Sequence, residues 1–243
     1  MPFPSLRLDG LTALITGGGS GIGETLALGM AEAGARVVVT ELPDRIERAQ
    51  AVAQRVGGQA VPLDVRDVAS IDLPPADILV NNAGVQRARP ALEVTEEDWD
   101  FVVDVDLKGV FFVAQAAARH MVASGRGGKI VNVASINGLI GYYNRAPYCA
   151  AKGGVVNLTR QLAVEWAPHN INVNAIAPTY ILTPLTQPTL AQPEVREDIL
   201  RRTPLGRIGQ LEDLVGAVVY LSSPAAGLVT GQTLAVDGGW TAM

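Results

Sequence analysis

An open, doubly wound α/β fold, with a parallel sheet covered by helices on both faces, is what this sequence predicts. Three observations carry the prediction. Short β-branched or apolar runs alternate with longer amphipathic ones from Leu11 to Val236. A glycine-rich stretch, Thr16–Gly23, joins the first such run to the first helical pattern. No linker, repeat or low-complexity segment divides the 243 residues, so a single domain is expected over residues 1–243.

The elements follow in order. The apolar run Leu11–Thr16 reads as a strand feeding a helix over Gly21–Ala33. Ala35–Thr40, with three successive valines, is a second buried strand, followed by a helix over Pro43–Val56 that opens on proline. Ala60–Leu63 is the third strand. The next segment, Asp64–Asp77, is too short and too proline-rich (Pro74-Pro75) for a crossover helix. One turn or a loop is expected there, leaving part of one sheet face thinly covered. Ile78–Asn81, Lys129–Ala134, Asn172–Ile176 and Thr233–Val236 read as strands, with helices over Glu96–Ser124, Tyr148–Pro168 and Leu211–Ser222. The stretch 178–204, holding Pro178, Pro184, Pro188 and Pro193, is long for a connection. It follows the carboxyl end of a strand, where open α/β sheets bind ligands, and is expected to be a mobile substrate lid.

Composition narrows the function. The formal charge is −5 with a pI near 5.1, and lysines and arginines form no cluster, which argues against a nucleic-acid partner. The single cysteine, Cys149, excludes an internal disulfide and a multi-cysteine metal site, and reads as a small buried hydrophobe. His120 and His169 lie in unrelated contexts, so no metal centre and no Ser-His-Asp set is expected. The start of the chain lacks a basic segment followed by an apolar one, and no apolar run approaches the ~20 residues of a membrane span. A cytoplasmic protein acting on a small molecule, without a membrane partner, is expected.

Tyr148 and Lys152 stand four residues apart in Tyr148-Cys149-Ala150-Ala151-Lys152. On a helix they project from one face, a single turn apart. A phenol ionises near ~10, too high for acid–base work at neutral pH, and a neighbouring ammonium favours the phenolate. Such a pair can move a proton at a substrate hydroxyl or carbonyl. The spacing alone recurs by chance in many helices. The glycine stretch supplies context: Gly17, Gly21 and Gly23 permit a tight turn and close approach of a pyrophosphate, and the helix opening at Gly21 offers free N–H groups. Ser20 and Ile22 belong to the same loop. The spacing is Gly-x-x-x-Gly-x-Gly rather than Gly-x-Gly-x-x-Gly, and no Lys-Ser/Thr follows, which disfavours a nucleotide-hydrolysing loop. Glu41 comes directly after the second strand, placed to hydrogen-bond an adenosine ribose and repel a 2′-phosphate. Together with the uncharged Ser20 it favours NAD over NADP. Arg45, close by, falls inside the following helix.

Thr16–Gly23, Asp64-Val65, Asn81-Asn82-Ala83-Gly84, Ser135 thirteen residues before Tyr148, Tyr148-x-x-x-Lys152 and Pro178–Thr183 occur in this order. The order resembles the short-chain dehydrogenase/reductase family, over essentially the whole chain to Val236-Asp237-Gly238-Gly239-Trp240. The resemblance implies a Rossmann-like sheet and hydride transfer to or from NAD, which carries the difficult chemistry. It makes Tyr148 the proton-transfer residue and Ser135 the partner of the substrate oxygen. Lys152 would lower the phenol's pKa and hold the nicotinamide ribose. Asp64 and Val65 would lie near the adenine, Asn81, Ala83 and Gly84 along the adenosine ribose, and Ile181 and Thr183 at the nicotinamide carboxamide. A homotetramer is implied, built from the paired long helices and the last strand, with Gly153, Gly154 and Trp240 suited to interfaces.

Two departures stand out. Where the family has an asparagine among its catalytic residues, this chain has Asp106, in Val105-Asp106-Leu107-Lys108-Gly109. The carboxylate either preserves the family's main-chain role there or couples electrostatically to Lys152 and alters its effect on Tyr148. Thr179 stands where the family usually has glycine after Pro178, which implies a turn without positive φ.

Arg145, three residues before Tyr148, reads either as a bidentate partner for a substrate carboxylate or as a surface or interface arginine. Gln86 and Asn137 follow strand ends facing the same cleft and read as partners for sugar hydroxyls or as loop caps. The segments Gly127–Asn132, Glu165–Pro178 and Val236–Trp240 resemble the sugar-acid branch of the family, which acts on gluconate and 2-keto-3-deoxy sugar acids. Oxidation of a secondary alcohol on a small hydroxylated carboxylic acid is therefore expected. The alternatives are reduction of a 3-oxoacyl thioester, disfavoured by Glu41, and a non-catalytic NAD-binding sensor or scaffold, disfavoured by the intact Ser135, Tyr148 and Lys152.

Overall fold

A computed structural model describes residues 3–183 and 186–243. Seven strands form one sheet: β1 (Thr12–Ile15), β2 (Arg36–Glu41), β3 (Gln59–Pro62), β4 (Ile78–Asn81), β5 (Gly128–Val133), β6 (Ile171–Pro178) and β7 (Thr233–Val236). Their order is β3-β2-β1-β4-β5-β6-β7, and every pairing is parallel. Successive side chains of each strand enter opposite layers, as the two-residue period requires. Ala13, Ile15, Val37, Val39, Ile78, Val80, Val131 and Val133 pack on one face. Leu14, Val38, Leu79, Ile130 and Val173 pack on the other.

The first face is covered by α1 (Gly21–Glu32), α2 (Ile46–Val56) and α8 (Val215–Ser222), through residues such as Leu26, Met30, Val52 and Val218. The second is covered by α4 (Val110–Ser124) and α5 (Ala146–Trp166), through Val113, Ala117, Met121, Leu162 and Ala163. The order of strands reverses between β1 and β4. The resulting crevice at their carboxyl ends is where such sheets accept dinucleotides.

Departures from the expected elements cluster near that crevice. The helix expected over Glu96–Ser124 is α3 (Glu96–Val103), a π-helical turn Asp104–Gly109, and α4. Its start is fixed by a reciprocal cap between Thr95 and Asp98. α2 opens with a 3-10 turn, Pro43–Arg45, which places Arg45 just before the helix. α5 begins two residues earlier than predicted, with Pro147 in its first turn. The 64–77 connection holds a turn at Val65–Arg66 and a 3-10 turn, Val68–Ser70, in place of a crossover helix, and β3, the edge strand beside it, has only half-buried or exposed residues. Between β6 and residue 209 the chain builds α6 (Gln187–Leu190) and α7 (Pro193–Arg201). Their side chains join a small core of their own, Ile136, Tyr180, Leu190, Ile199, Ile208 and Trp240. Pro184, within the predicted lid, lies outside the described residues.

Candidate active site

The carboxyl end of β1 runs into the glycine loop. Gly17 and Gly21 have φ of +59° and +56°, a conformation that favours glycine. Added Cβ atoms would lie 2.7 Å from Val39 Cγ1 at Gly18 and 2.4 Å from the Gly17 carbonyl oxygen at Gly23. The loop is pinned by Thr16, whose hydroxyl accepts the N–H groups of Asn82 and Ala83 at 3.0 Å each. Asn82 in turn donates through Nδ2 to the carbonyls of Thr16 and Gly17. The Ser20 side chain does not cap α1, leaving the helix N-terminus free. A bare backbone cradle at a free helix N-terminus fits the pyrophosphate of a dinucleotide. Ile22, in the same turn, packs against the core below.

Glu41 ends β2 and leans over this loop: a Cβ on Gly19 would lie 2.8 Å from Glu41 Oε2. Its Oε1 accepts the Leu42 N–H. Asp64 is held by Arg66, which donates Nε to Oδ1 at 2.9 Å and Nη2 to Oδ2 at 2.6 Å. That pairing holds the Asp64 carboxyl below its usual range. Val65 is buried against Gly109 of the π turn. Ala83 and Gly84 follow β4 at the crevice.

Asn81 uses its side chain for structure. Its side chain does not reach the crevice; it donates to the Val110 carbonyl and to Asn132 Oδ1, and Asn132 donates to Thr159. This buried chain ties β4, β5, α4 and α5 together, so a ribose contact at Asn81 is left to its main chain. Thr183 uses its hydroxyl within a tight turn, 3.0 Å from that of Thr186, and Ile181 pairs with Gly209. Thr179 has no positive φ, as expected.

Ser135 follows β5, and its hydroxyl accepts the Asn137 N–H at 3.1 Å. Tyr148 stands half-buried in the first turn of α5, with Lys152 one turn on and its ammonium 5.6 Å from the Tyr148 ring centre. Lys152 donates to the Val133 carbonyl at 2.9 Å and lies 3.1 Å from Asp106 Oδ2. Asp106 is fully buried in the π turn, its Oδ1 taking the Val85 N–H at 2.7 Å. Its Oδ2 has no hydrogen-bond donor of good geometry, so the contact with Lys152 is ionic.

Burial raises the Tyr148 pKa above the usual phenol value, and Asp106 adds to the rise. Lys152, Ser135 and Arg145 pull it down without reversing the direction. Lys152 thus acts in the predicted sense, but the net shift is upward. Burial alone would lower the Lys152 pKa; Asp106 and Tyr148 outweigh it, and the ammonium is stabilised. Burial raises Asp106, against the pull of Lys152.

Arg145 caps α5 and is buried, with its guanidinium carbon 5.9 Å from the Tyr142 ring centre and 5.7 Å from that of Tyr180. Among the described residues it has no carboxylate partner, and its Nε has no hydrogen-bond acceptor. It is therefore not a surface arginine, and among the described residues it belongs to no ion pair. Asn137 is buried with Oδ1 unpartnered, and Gln86 is half-buried after β4. Trp240 also requires a correction: it is buried against Tyr142 and Tyr180, in the small core it shares with Leu190 and Ile199. Gly154 admits the Leu107 side chain of the π turn, a close approach within the chain. Cys149 is half-buried rather than buried. Sequence reasoning missed Tyr142 and Tyr180, which carry no motif, and left Thr16 and Asn82 without a role. The loop position of the latter two, before and opposite the glycines, was the available signal.

Among the described residues, no three His, Cys, Asp or Glu side chains are grouped to share a metal ion, and no helix is long and apolar enough to cross a membrane.

A parallel sheet with a glycine cradle at its switch point and a Ser, Tyr and Lys set beside it defines a nicotinamide-dependent oxidoreductase acting on CH–OH groups. A family model described as enoyl-(acyl carrier protein) reductase matches residues 17–241. The chain is 43% identical, over the full length of both proteins, to 2-dehydro-3-deoxy-D-gluconate 5-dehydrogenase of Escherichia coli (strain K12). It is 44% identical to gluconate 5-dehydrogenase of Gluconobacter oxydans (strain 621H), over 99% of each chain. Among solved structures, a gluconate 5-dehydrogenase from Burkholderia cenocepacia J2315 in complex with NADP and tartrate superposes with a TM-score of 0.94, at 41% identity over 98% of each chain. The protein belongs to the short-chain dehydrogenase/reductase family, and it is similar to that family's sugar-acid branch.

Proposed function

We propose that the protein is an NAD-dependent dehydrogenase that interconverts a secondary alcohol and a ketone on a small hydroxylated carboxylic acid, of the gluconate or 2-keto-3-deoxy sugar-acid type. The observation that carries the substrate class is Arg145, a buried cation with no carboxylate of its own among the described residues. An enclosed guanidinium whose Nε has no acceptor is costly, and a substrate carboxylate offsets that cost bidentately. The similarity to sugar-acid dehydrogenases supports the same class.

The dinucleotide supplies a hydride acceptor or donor when bound. The loop from Gly17 to Gly23, with Ser20, Gly21 and Ile22, would hold its pyrophosphate, Glu41 and the main chain at Asn81, Ala83 and Gly84 the adenosine ribose, and Asp64 and Val65 the adenine. Lys152 would hold the nicotinamide ribose, with Ile181 and Thr183 at the carboxamide. Tyr148 exchanges a proton with the substrate oxygen, and Ser135 hydrogen-bonds the same oxygen as charge develops on it. Gln86 and Asn137, whose Oδ1 is a free acceptor, take substrate hydroxyls. The 178–204 segment closes over them as a lid. Glu41 beside Gly19 favours NAD, because a 2′-phosphate would enter next to a carboxylate. The reading includes a homotetramer, supported by exposed apolar residues such as Val164 on α5.

A screen of NAD and NADP reduction over sugar acids, hydroxy acids and uncharged polyols tests the function. Turnover of an acid with NAD supports it. Preferential reduction of a 3-oxoacyl thioester with NADPH would replace it by the thioester reading, and tight NAD binding without turnover of any alcohol by a sensor role.

A further inference from the structure

The ion pair beneath Tyr148 has a consequence for the reaction. Asp106 reaches the site because the helix between α3 and α4 widens into a π turn, and it is completely buried there. Its two oxygens have different duties. Oδ1 is fixed by the Val85 N–H at 2.7 Å, so the carboxylate cannot swing away, and Oδ2 is presented to the Lys152 ammonium at 3.1 Å. Lys152 is fixed from the other side by the Val133 carbonyl at 2.9 Å. Gly84 completes the enclosure: a Cβ there would lie 3.2 Å from Asp106 Oδ2 and 3.6 Å from Lys152 Nζ. Both members of the pair are therefore held in place, away from water.

A fixed negative charge beside a cation weakens the field of that cation at a third group. The charged groups that bear on the Tyr148 phenol are Lys152 on the same helix, Arg145 at its N-cap and Asp106 from the π turn; Ser135, from the end of β5, is neutral. Those bearing on Asp106 reduce to Lys152. Without Asp106, two cations would draw the phenol toward the phenolate. With it, part of the Lys152 pull is offset, which adds to the rise that burial already causes.

We propose that Asp106 is a positioning residue which, through its buried ion pair with Lys152, keeps the proton on Tyr148 at neutral pH, poising the site for carbonyl reduction and confining alcohol oxidation to higher pH. The proposal rests on the dehydrogenase reading of the site but not on the identity of the alcohol. In reduction the phenol's O–H breaks to give its proton to the substrate oxygen as the C=O π bond opens, and a bound reduced nicotinamide would supply the hydride to the carbon and be oxidised. The phenolate then regains a proton from solvent. In oxidation the phenolate must already exist, so its population sets the rate.

The test is a tyrosinate absorbance titration of the whole protein, with each variant compared against the same variant carrying Tyr148→Phe. It needs neither cofactor nor substrate, so it stands even if the sugar-acid assignment fails. Asp106→Asn and Asp106→Ser are both titrated, the smaller serine avoiding a donor-to-donor contact of an amide with Lys152, and thermal melting establishes that each is folded. The expected result is ionisation of Tyr148 at lower pH in the folded variants. The rising limb of alcohol oxidation should move to lower pH with it, with oxidation at neutral pH faster by roughly five- to tenfold and no matching gain in reduction. An unchanged or raised midpoint would overturn the proposal and leave Asp106 a structural replacement for the family's asparagine.

Discussion

Tyr148 can act only if its oxygen meets the substrate, and everything around it bears on when its proton moves. Replacing it by Phe removes the proton-transfer group and keeps the ring, so turnover should fall by about 10²–10⁴-fold while NAD still binds, as fluorescence titration would show. In the proposed function Arg145 meets the other end of the substrate. Its guanidinium faces two tyrosine rings, and Tyr142 is itself held by a hydrogen bond from its hydroxyl to Asp198 of α7 at 3.2 Å. Arg145→Ala should raise KM for acidic substrates by roughly 10–100-fold, with KM for uncharged polyols nearly unmoved. Equal KM values for acids in the two proteins would remove the carboxylate clamp. Glu41 carries the proposed preference for NAD. Glu41→Ser should narrow the NAD-over-NADP preference in kcat/KM, and an unaltered ratio would place the discrimination elsewhere. Tyr148, Lys152, Ser135 and Glu41 were legible because each sits at a fixed distance from a motif or a strand end. The ion pair of Lys152 with Asp106 was legible only as a question, since sequence separation says nothing of whether a carboxylate is solvated or enclosed.

Several of these groups owe their places to irregular elements. The π turn Asp104–Gly109 rotates Asp106 inward and lets Gly109 approach Val65, where a Cβ would lie 2.8 Å from a valine methyl. Apolar periodicity continues across Glu96–Ser124 with no proline to mark a break, so a continuous helix was the natural expectation. Buried polar residues are the other element-scale device. Asn132 receives from Asn81 and donates to Thr159, joining two strands to α5. Asn132→Ala leaves buried partners unsatisfied, so stability should fall by about 1–3 kcal/mol, measured by chemical unfolding, with activity per folded molecule retained. Asn81, assigned to the ribose by its motif, belongs to this network through its side chain: a motif fixes position in the chain, and the pleat decides which way the side chain points. The glycine cradle was fully legible, because its conformational demands are written in residue type. Gly23→Ala should abolish dinucleotide binding, since its Cβ would fall 2.4 Å from a backbone oxygen.

At the scale of the molecule, alternation of strand and helix patterns was enough to give a parallel sheet with both faces covered, and seven parallel strands are what the chain forms. The small core that includes Leu190 of α6 and Ile199 of α7 was not legible. Tyr142, Tyr180 and Trp240 lie far apart in sequence and converge only because β6, the 136–145 loop and the chain end meet there. That convergence brings the Tyr142 and Tyr180 rings to Arg145 and ties its loop to α7. The most direct measurement is steady-state NAD reduction with gluconate-type and 2-keto-3-deoxy sugar acids beside uncharged polyols of the same length, in the parent protein and in Arg145→Ala. The account predicts a kcat/KM for acids well above that for polyols in the parent, and loss of that advantage in the variant. Equal use of acids and polyols by the parent, or an acid preference untouched in the variant, would contradict it.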